Sequence, residues 1–172
     1  MVEGNTFGQD ADYGGKADFS GTIYTKWDEN YLYAAALVYD DVHWQKQDPI
    51  RFYYDDVFSL TLCPTKTQRH DTRIDIALSE VFDDNKGRIY RNWTPVFVNR
   101  SFGTIEQSED GTQVAVVRHD SVTIYEARIA WKEIVEQKTF ESKNFNISFS
   151  IRDYDGDRDK TFSDGGWFCL TE

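Results

Sequence analysis

The fifteen residues Trp27 to Asp41 restrict the fold more than any other stretch of the chain. Thr22 to Trp27 reads as the end of a strand. Asp28-Glu29-Asn30 reads as a tight turn, because Asn and Asp side chains bond their own backbone and tolerate unusual φ. Tyr31 to Tyr39 is a run of aromatic, alanyl and aliphatic residues that ends abruptly in Asp40-Asp41. A strand, a turn and a second apolar strand make a β-hairpin, and so apolar a second strand belongs in the middle of a sheet.

The rest of the chain repeats this idiom. Phe58, Leu60 and Leu62 alternate with Val57, Ser59 and Thr61, and Ile74, Ile76 and Leu78 alternate with Arg73, Asp75 and Ala77, the period of a strand. Asp83 to Gly87 is a turn with a glycine for positive φ. Arg88–Trp93 with Pro95–Val98 reads as a strand pair or one bent strand. Gln113–Arg118 and Val122–Ala130 are strands split by His119-Asp120-Ser121. Phe145 to Arg152 alternates most cleanly, and Trp167–Leu170 reads as the last strand. Trp131, Ile134 and Val135 fall at helical spacing, so one short helix is expected over 131–137. The pattern predicts an all-β protein, an antiparallel β-sandwich of jelly-roll type with one short helix. Its 172 residues suit a single domain. Residues 22–172 form the sandwich in this reading, and the Gly- and Asp-rich residues 1–21 a loosely ordered leading segment. The opening looks like that of a piece cut from a longer protein.

A net charge of −11 argues against nucleic acid and against an anionic membrane surface as partners. No apolar run approaches the roughly 20 residues of a membrane-spanning helix. Neutral ligands and cations remain. Aromatic residues are 16% of the chain, more than a core of this size requires, so some rings are expected to face a ligand or solvent. Trp44, Phe52, Tyr53 and Tyr54 concentrate in the loop before Val57. Flat rings pack on the C–H faces of sugars with little entropic cost, which makes this loop a candidate carbohydrate site. Arg73, one turn further along, could donate paired hydrogen bonds to hydroxyls, or form an ion pair with Asp71 or Asp75.

A second constellation is acidic. Asp153, Asp155, Asp157 and Asp159 alternate around Gly156. Carboxylates so crowded suit a Ca²⁺ ion, which takes six to eight oxygens, although a solvated turn is the plain alternative. Asp40-Asp41 and Asp55-Asp56 are further, secondary sources of oxygen. Cys63 and Cys169 are two strand-borne cysteines, either separate thiols or one bridge. Catalysis is not expected. No Ser, His and Asp set has a nucleophile's context, and the three histidines lack metal spacing. Glycoside hydrolysis needs two facing carboxylates, whereas Asp75 and Glu80 point to opposite faces of a strand.

Four motifs, taken in order, resemble family 9 carbohydrate-binding modules: Trp27–Tyr33 with Val38–Asp41, Tyr54–Val57, Tyr125–Lys132, and Ile151–Asp155. The resemblance runs from Gly21 to the C-terminus. It implies a non-catalytic, calcium-bearing β-sandwich attached to a secreted xylanase or other catalytic or surface domain. Such a module is extracellular or on a bacterial cell surface and binds a polysaccharide such as cellulose or xylan, or its chain end, between two rings. By position, the first clamp ring falls on Phe52, with Tyr53 and Tyr54 beside it, and a sugar-binding arginine falls on Arg73. A sugar-binding glutamate falls on Phe58 and is lost. The second clamp ring has only Phe162 or Trp167 to stand in for it. The alternative is a structural or protein-interaction domain of the same fold with an eroded sugar site.

Overall fold

A computed structural model describes residues 5–6, 18–46, 55–63, 71–79, 86–94, 101–104, 107–134, 146–155 and 168–171. Among them are eleven strands and one helix: β1 (Asn5–Thr6), β2 (Phe19–Trp27), β3 (Tyr31–Asp40), β4 (Val57–Cys63), β5 (Asp71–Ser79), β6 (Lys86–Thr94), β7 (Ser101–Thr104), β8 (Gln113–His119), β9 (Val122–Ala130), α1 (Trp131–Ile134), β10 (Asn146–Arg152) and β11 (Phe168–Thr171). They form two antiparallel sheets. One has seven strands in the order β1-β11-β10-β4-β5-β6-β7, and the other four in the order β2-β3-β9-β8. This is the predicted all-β antiparallel sandwich with one short helix.

The opening hairpin is built as its sequence requires. Asp28 Oδ1 accepts hydrogen bonds from the backbone N–H groups of Asn30 at 2.7 Å and Tyr31 at 2.8 Å, and Tyr33 donates its hydroxyl to Oδ2 at 2.9 Å. These donors hold the Asp28 carboxyl below its ordinary pKa. β3 then alternates, with Leu32, Ala34, Ala36 and Val38 buried, and it lies between β2 and β9 as a central strand. The helix docks on the hairpin turn: Trp131 donates its indole N–H to the carbonyl of Asp28 at 3.0 Å and its backbone N–H to that of Asn30 at 3.0 Å. Both Trp131 and Ile134 are buried, as helical spacing predicts. β2 begins at Phe19, three residues ahead of the predicted start, because Phe19 is itself a core residue.

The core fills the space between the sheets. Phe58 from β4 stacks on Phe149 from β10, with centroids 6.0 Å apart, and meets Tyr125 from β9 across the sandwich at 6.0 Å. Leu60, Ile74, Ile76, Ile89, Ile129 and Ile151 close around them. A Cβ on Gly21 would stand 2.6 Å from Ile151 Cδ1, so a larger residue here would require the Ile151 side chain to move.

Register settles the cysteines. Cys63 pairs with Asn146, while the β10–β11 pairing of Ser148 with Thr171 and Phe149 with Leu170 carries Cys169 opposite Ser150. One strand separates the two cysteines, and four residues offset them along it. Those separations are about 10 Å and about 13 Å, beyond what a disulfide spans. The alternative of separate thiols holds.

Candidate functional site

Three chain segments meet at one end of the sandwich. β3 leaves its sheet at Asp40, β4 enters at Val57, and β10 ends at Arg152, opposite Val57. Each segment carries aspartates just there. Asp40, Asp55, Asp56 and Asp153 are buried, and Asp41 and Asp155 are exposed. Asp40, His43 and Asp56 each bring a ligand-type atom within 4.8 Å of the other two, and so do Asp40, Asp41 and Asp155.

The cluster is partly satisfied from within. Arg118 donates from Nη1 to Asp40 Oδ2 at 2.9 Å and from Nη2 to the Asp40 carbonyl at 2.8 Å, while Asp40 Oδ1 accepts from the backbone of Val42. Asp56 Oδ2 accepts the N–H of Trp44 at 2.6 Å, and Oδ1 accepts the N–H of Tyr154 at 2.8 Å. His43 Nδ1 stands 3.0 Å from Asp56 Oδ2. In the other direction, Asp56 donates its N–H to the Trp44 carbonyl, and Gln45 donates to Asp55 Oδ2 at 3.1 Å. Asp56 therefore ties the start of β4 to the segment after β3 and to the segment after β10.

Asp153 is not satisfied. It is 6% exposed, and its Oδ1 is buried with no hydrogen-bond partner among the described residues. Burial, then the nearby Asp56 and Asp40, push its carboxyl up to about 9. Burial also raises Asp56 well above the usual range, aided by Asp40, and raises Asp40 against the pull of Arg118. Buried carboxylates with raised pKa values and one unpartnered oxygen are groups whose charge a cation would stabilise. An all-carboxylate set with one imidazole fits a hard divalent ion better than a thiolate-seeking metal.

The predicted acidic ligands are thus divided. Asp155 lies in the cluster with Asp40 and Asp41, Asp153 borders it close enough to feel Asp56 and Asp40, and Asp157 and Asp159 lie outside the described residues. Asp40, Asp41 and Asp56, the secondary candidates, come forward because strand ends bring them together. The doubled aspartates bounding β3 and β4 were the available signal.

The aromatic candidates sit next to this cluster in the chain. Phe52, Tyr53 and Tyr54 lie outside the described residues, as do Phe162 and Trp167. Trp44 is half-buried, and its ring meets that of Tyr154 edge-on at 6.3 Å. Arg73 occupies a row that crosses the seven-stranded sheet as Ser148–Thr61–Arg73–Asn92–Phe102. The next row of that face reads Ser150–Ser59–Asp75–Tyr90–Thr104. Between them runs the row of Phe149, Leu60 and Ile74, which belongs to the core face. By register, the positions turned away from the core read as two polar and aromatic rows, of which Ser59 and Ser150 are buried. Asn92 and Tyr90 escaped sequence reasoning because polar residues in strands are commonplace. Phe58 faces the core, so the position assigned to a sugar-binding acid does not lie on this face. Its neighbour Ser59 does.

Residues 5–167 match the family model described as carbohydrate family 9 binding domain-like, and the chain belongs to that family. Among solved structures it is similar to a family 9 carbohydrate-binding module from Caldicellulosiruptor kristjanssonii in complex with glucose. That likeness has 16% identity and a TM-score of 0.50, over 80% of this chain and 61% of that one. It is similar as well to a family 9 module from the same organism in complex with cellotriose, at 18% identity and a TM-score of 0.50, over 98% of this chain and 72% of that one. This chain thus spans less than two thirds of the glucose-bound relative. At these identities the likeness is one of fold. No curated protein matches.

Proposed function

We propose that this domain is a non-catalytic carbohydrate-binding module that holds a polysaccharide or its chain end on Phe52, Tyr53 and Tyr54, with Arg73 as its polar anchor. The observation that carries the reading is membership of a carbohydrate-binding family over residues 5–167. The register rows give it a chemical basis, since Arg73 stands between Thr61 and Asn92 in a file of hydroxyl, guanidinium and amide positions. Planar groups of that kind pair with vicinal hydroxyls. The two similar structures hold glucose and cellotriose, so cello-oligosaccharides are the first ligands to test.

Ca²⁺ is the cofactor of this reading, held by Asp40, Asp56, Asp153 and Asp155 with Asp41 at the rim. When bound, it supplies positive charge to a site whose carboxylates otherwise keep protons. Asp56 carries that order to the segments after β3 and β10 through Trp44 and Tyr154. The module works outside the cell, joined to a catalytic or surface domain.

Isothermal titration with glucose, cellotriose and xylotriose tests the reading. Binding is expected in the micromolar to millimolar range, roughly −8 to −4 kcal/mol, and should weaken at least tenfold in folded Arg73→Ala. An Arg73→Ala variant that binds like the parent removes Arg73 from the site. A second reading, an interaction domain with an eroded sugar site, is favoured by Phe58, which puts a core ring where the family resemblance placed a sugar-binding acid. Flat titrations on folded, calcium-loaded protein would select it.

A further inference from the structure

The four-stranded sheet also has an outer face, and register defines it. One row crosses the strands as Lys26–Tyr33–Arg128–Gln113, the next as Tyr24–Ala35–Glu126–Ala115, and the third as Thr22–Leu37–Ile124–Val117. The middle row has alanines on the two strands β3 and β8, flanked by larger side chains on both sides. The result is a trough of about 550 Å³ whose lining includes Tyr24, Tyr33, Ala35, Ala115, Glu126 and Arg128. Crossing four strands, it is about 14 Å long, more than one sugar ring needs.

The chemistry of the lining is mixed in a particular way. Tyr24 is 48% exposed, and Tyr39, Ile124 and Val117 are exposed on the same sheet face. Gln113 and Glu126 have no side-chain partner among the described residues, which leaves an amide and a carboxylate open toward the trough. Other groups are already fixed. Lys26 lies over the Tyr33 ring, its Nζ 5.1 Å from the centroid, and Arg128 lies over Tyr31 at 4.7 Å. Gln107 is pinned at the β8 end by hydrogen bonds with Val114 and Gly87. The open ring of Tyr24 on a small-residue floor, with planar hydrogen-bonding groups beside an apolar row, matches a molecule that is apolar on its faces and hydroxylated at its edges. Two cations against one carboxylate give the trough no strong sign, and the chain's charge of −11 disfavours a polyanion.

We propose that this trough is a second glycan site, which takes a short neutral oligosaccharide across strands β2, β3, β9 and β8. Its ligand class rests on the proposed function, and its position does not. It lies on the opposite sheet from the Arg73 row, so one domain would bridge two polysaccharide chains or two separate segments of one.

The test is an amide-shift titration of the ¹⁵N-labelled 172-residue chain, calcium-loaded, with cellohexaose and separately with xylohexaose. The expected result is perturbation at Ala35, Ala115 and Glu126 that persists in Arg73→Ala and weakens about tenfold or more in Tyr24→Ala and in Glu126→Gln. Perturbation at these residues alone supports the second site and removes the proposed first one. Perturbation confined to β4, β5 and β6 overturns the second site and leaves the first intact. No perturbation with either sugar overturns both. Shifts at this face that follow protein concentration without sugar make it an interface between copies and overturn the glycan assignment.

Discussion

Asp153 controls how the metal-free domain responds to pH. Its carboxyl sits near 9 in the folded protein, against an ordinary value of 3.8. Below about 4 it is protonated in both folded and unfolded chains, so its contribution to stability is fully present. Between about 4 and about 9 the folded chain keeps a proton that the unfolded chain has lost, and stability falls as pH rises. Asp40 and Asp56, also raised, act in the same direction. Melting temperatures in excess EDTA should therefore decline from pH 5 to pH 9, and Asp153→Asn should flatten the decline. Ca²⁺ should reverse it, because the ion competes with those protons and binds more tightly as pH rises. A metal-free melting curve that rises over this interval would contradict the burial of Asp153.

Strands respond through parity and register. Phe58 is wholly buried between Tyr125 and Phe149, so Phe58→Ala should cost about 3–5 kcal/mol in denaturant melts. Phe58→Glu should abolish cooperative unfolding without creating sugar affinity, since it buries a charge in the core. A folded Phe58→Glu domain with improved binding would mean that β4 runs with the opposite face inward. Register likewise predicts two titratable thiols per chain in non-reducing denaturant, and a thiol count of zero would refute the β10–β11 pairing. Much of this was legible in the sequence, because alternation is local: Ile74, Ile76 and Phe149 declare their face within a few residues. Asp28 and Trp131 were legible too, one as a turn former and the other by helical spacing. The acidic site was legible only in part. Asp153 and Asp155 advertised it, but Asp40 and Asp56 join them because three strands end together, and no window of sequence holds that fact. Asn92 and Tyr90 carry no local signal and reach the Arg73 face only through pairing with β5.

Taken as a whole, the molecule gathers its acids at the start of β4, just after the aromatic run in the sequence. Asp56 joins the start of β4 to Trp44 and to Tyr154, and Tyr53 and Tyr54 directly precede Asp55-Asp56 in sequence. An ion held by Asp40, Asp56, Asp153 and Asp155 would fix the end of β4 from which those rings depart. Fixing that strand end before sugar arrives removes part of the entropic cost of binding. Calcium and sugar should then each raise the other's affinity by one factor, about 5- to 150-fold for a coupling of ~1–3 kcal/mol. Calorimetry of cellotriose into calcium-loaded and EDTA-treated protein reads one side of this cycle, and calcium titration with and without saturating cellotriose reads the other. Equal factors on both sides would establish the coupling, and Asp56→Asn should shrink both together. If calcium raises the melting temperature but leaves cellotriose affinity unchanged, the ion only staples the end of the sandwich. The trough offers an internal control, because none of its lining residues belongs to the aspartate cluster, although Ala35 shares β3 with Asp40. Binding there should be indifferent to calcium, so a single titration followed residue by residue should separate a calcium-dependent site from a calcium-independent one on the same domain.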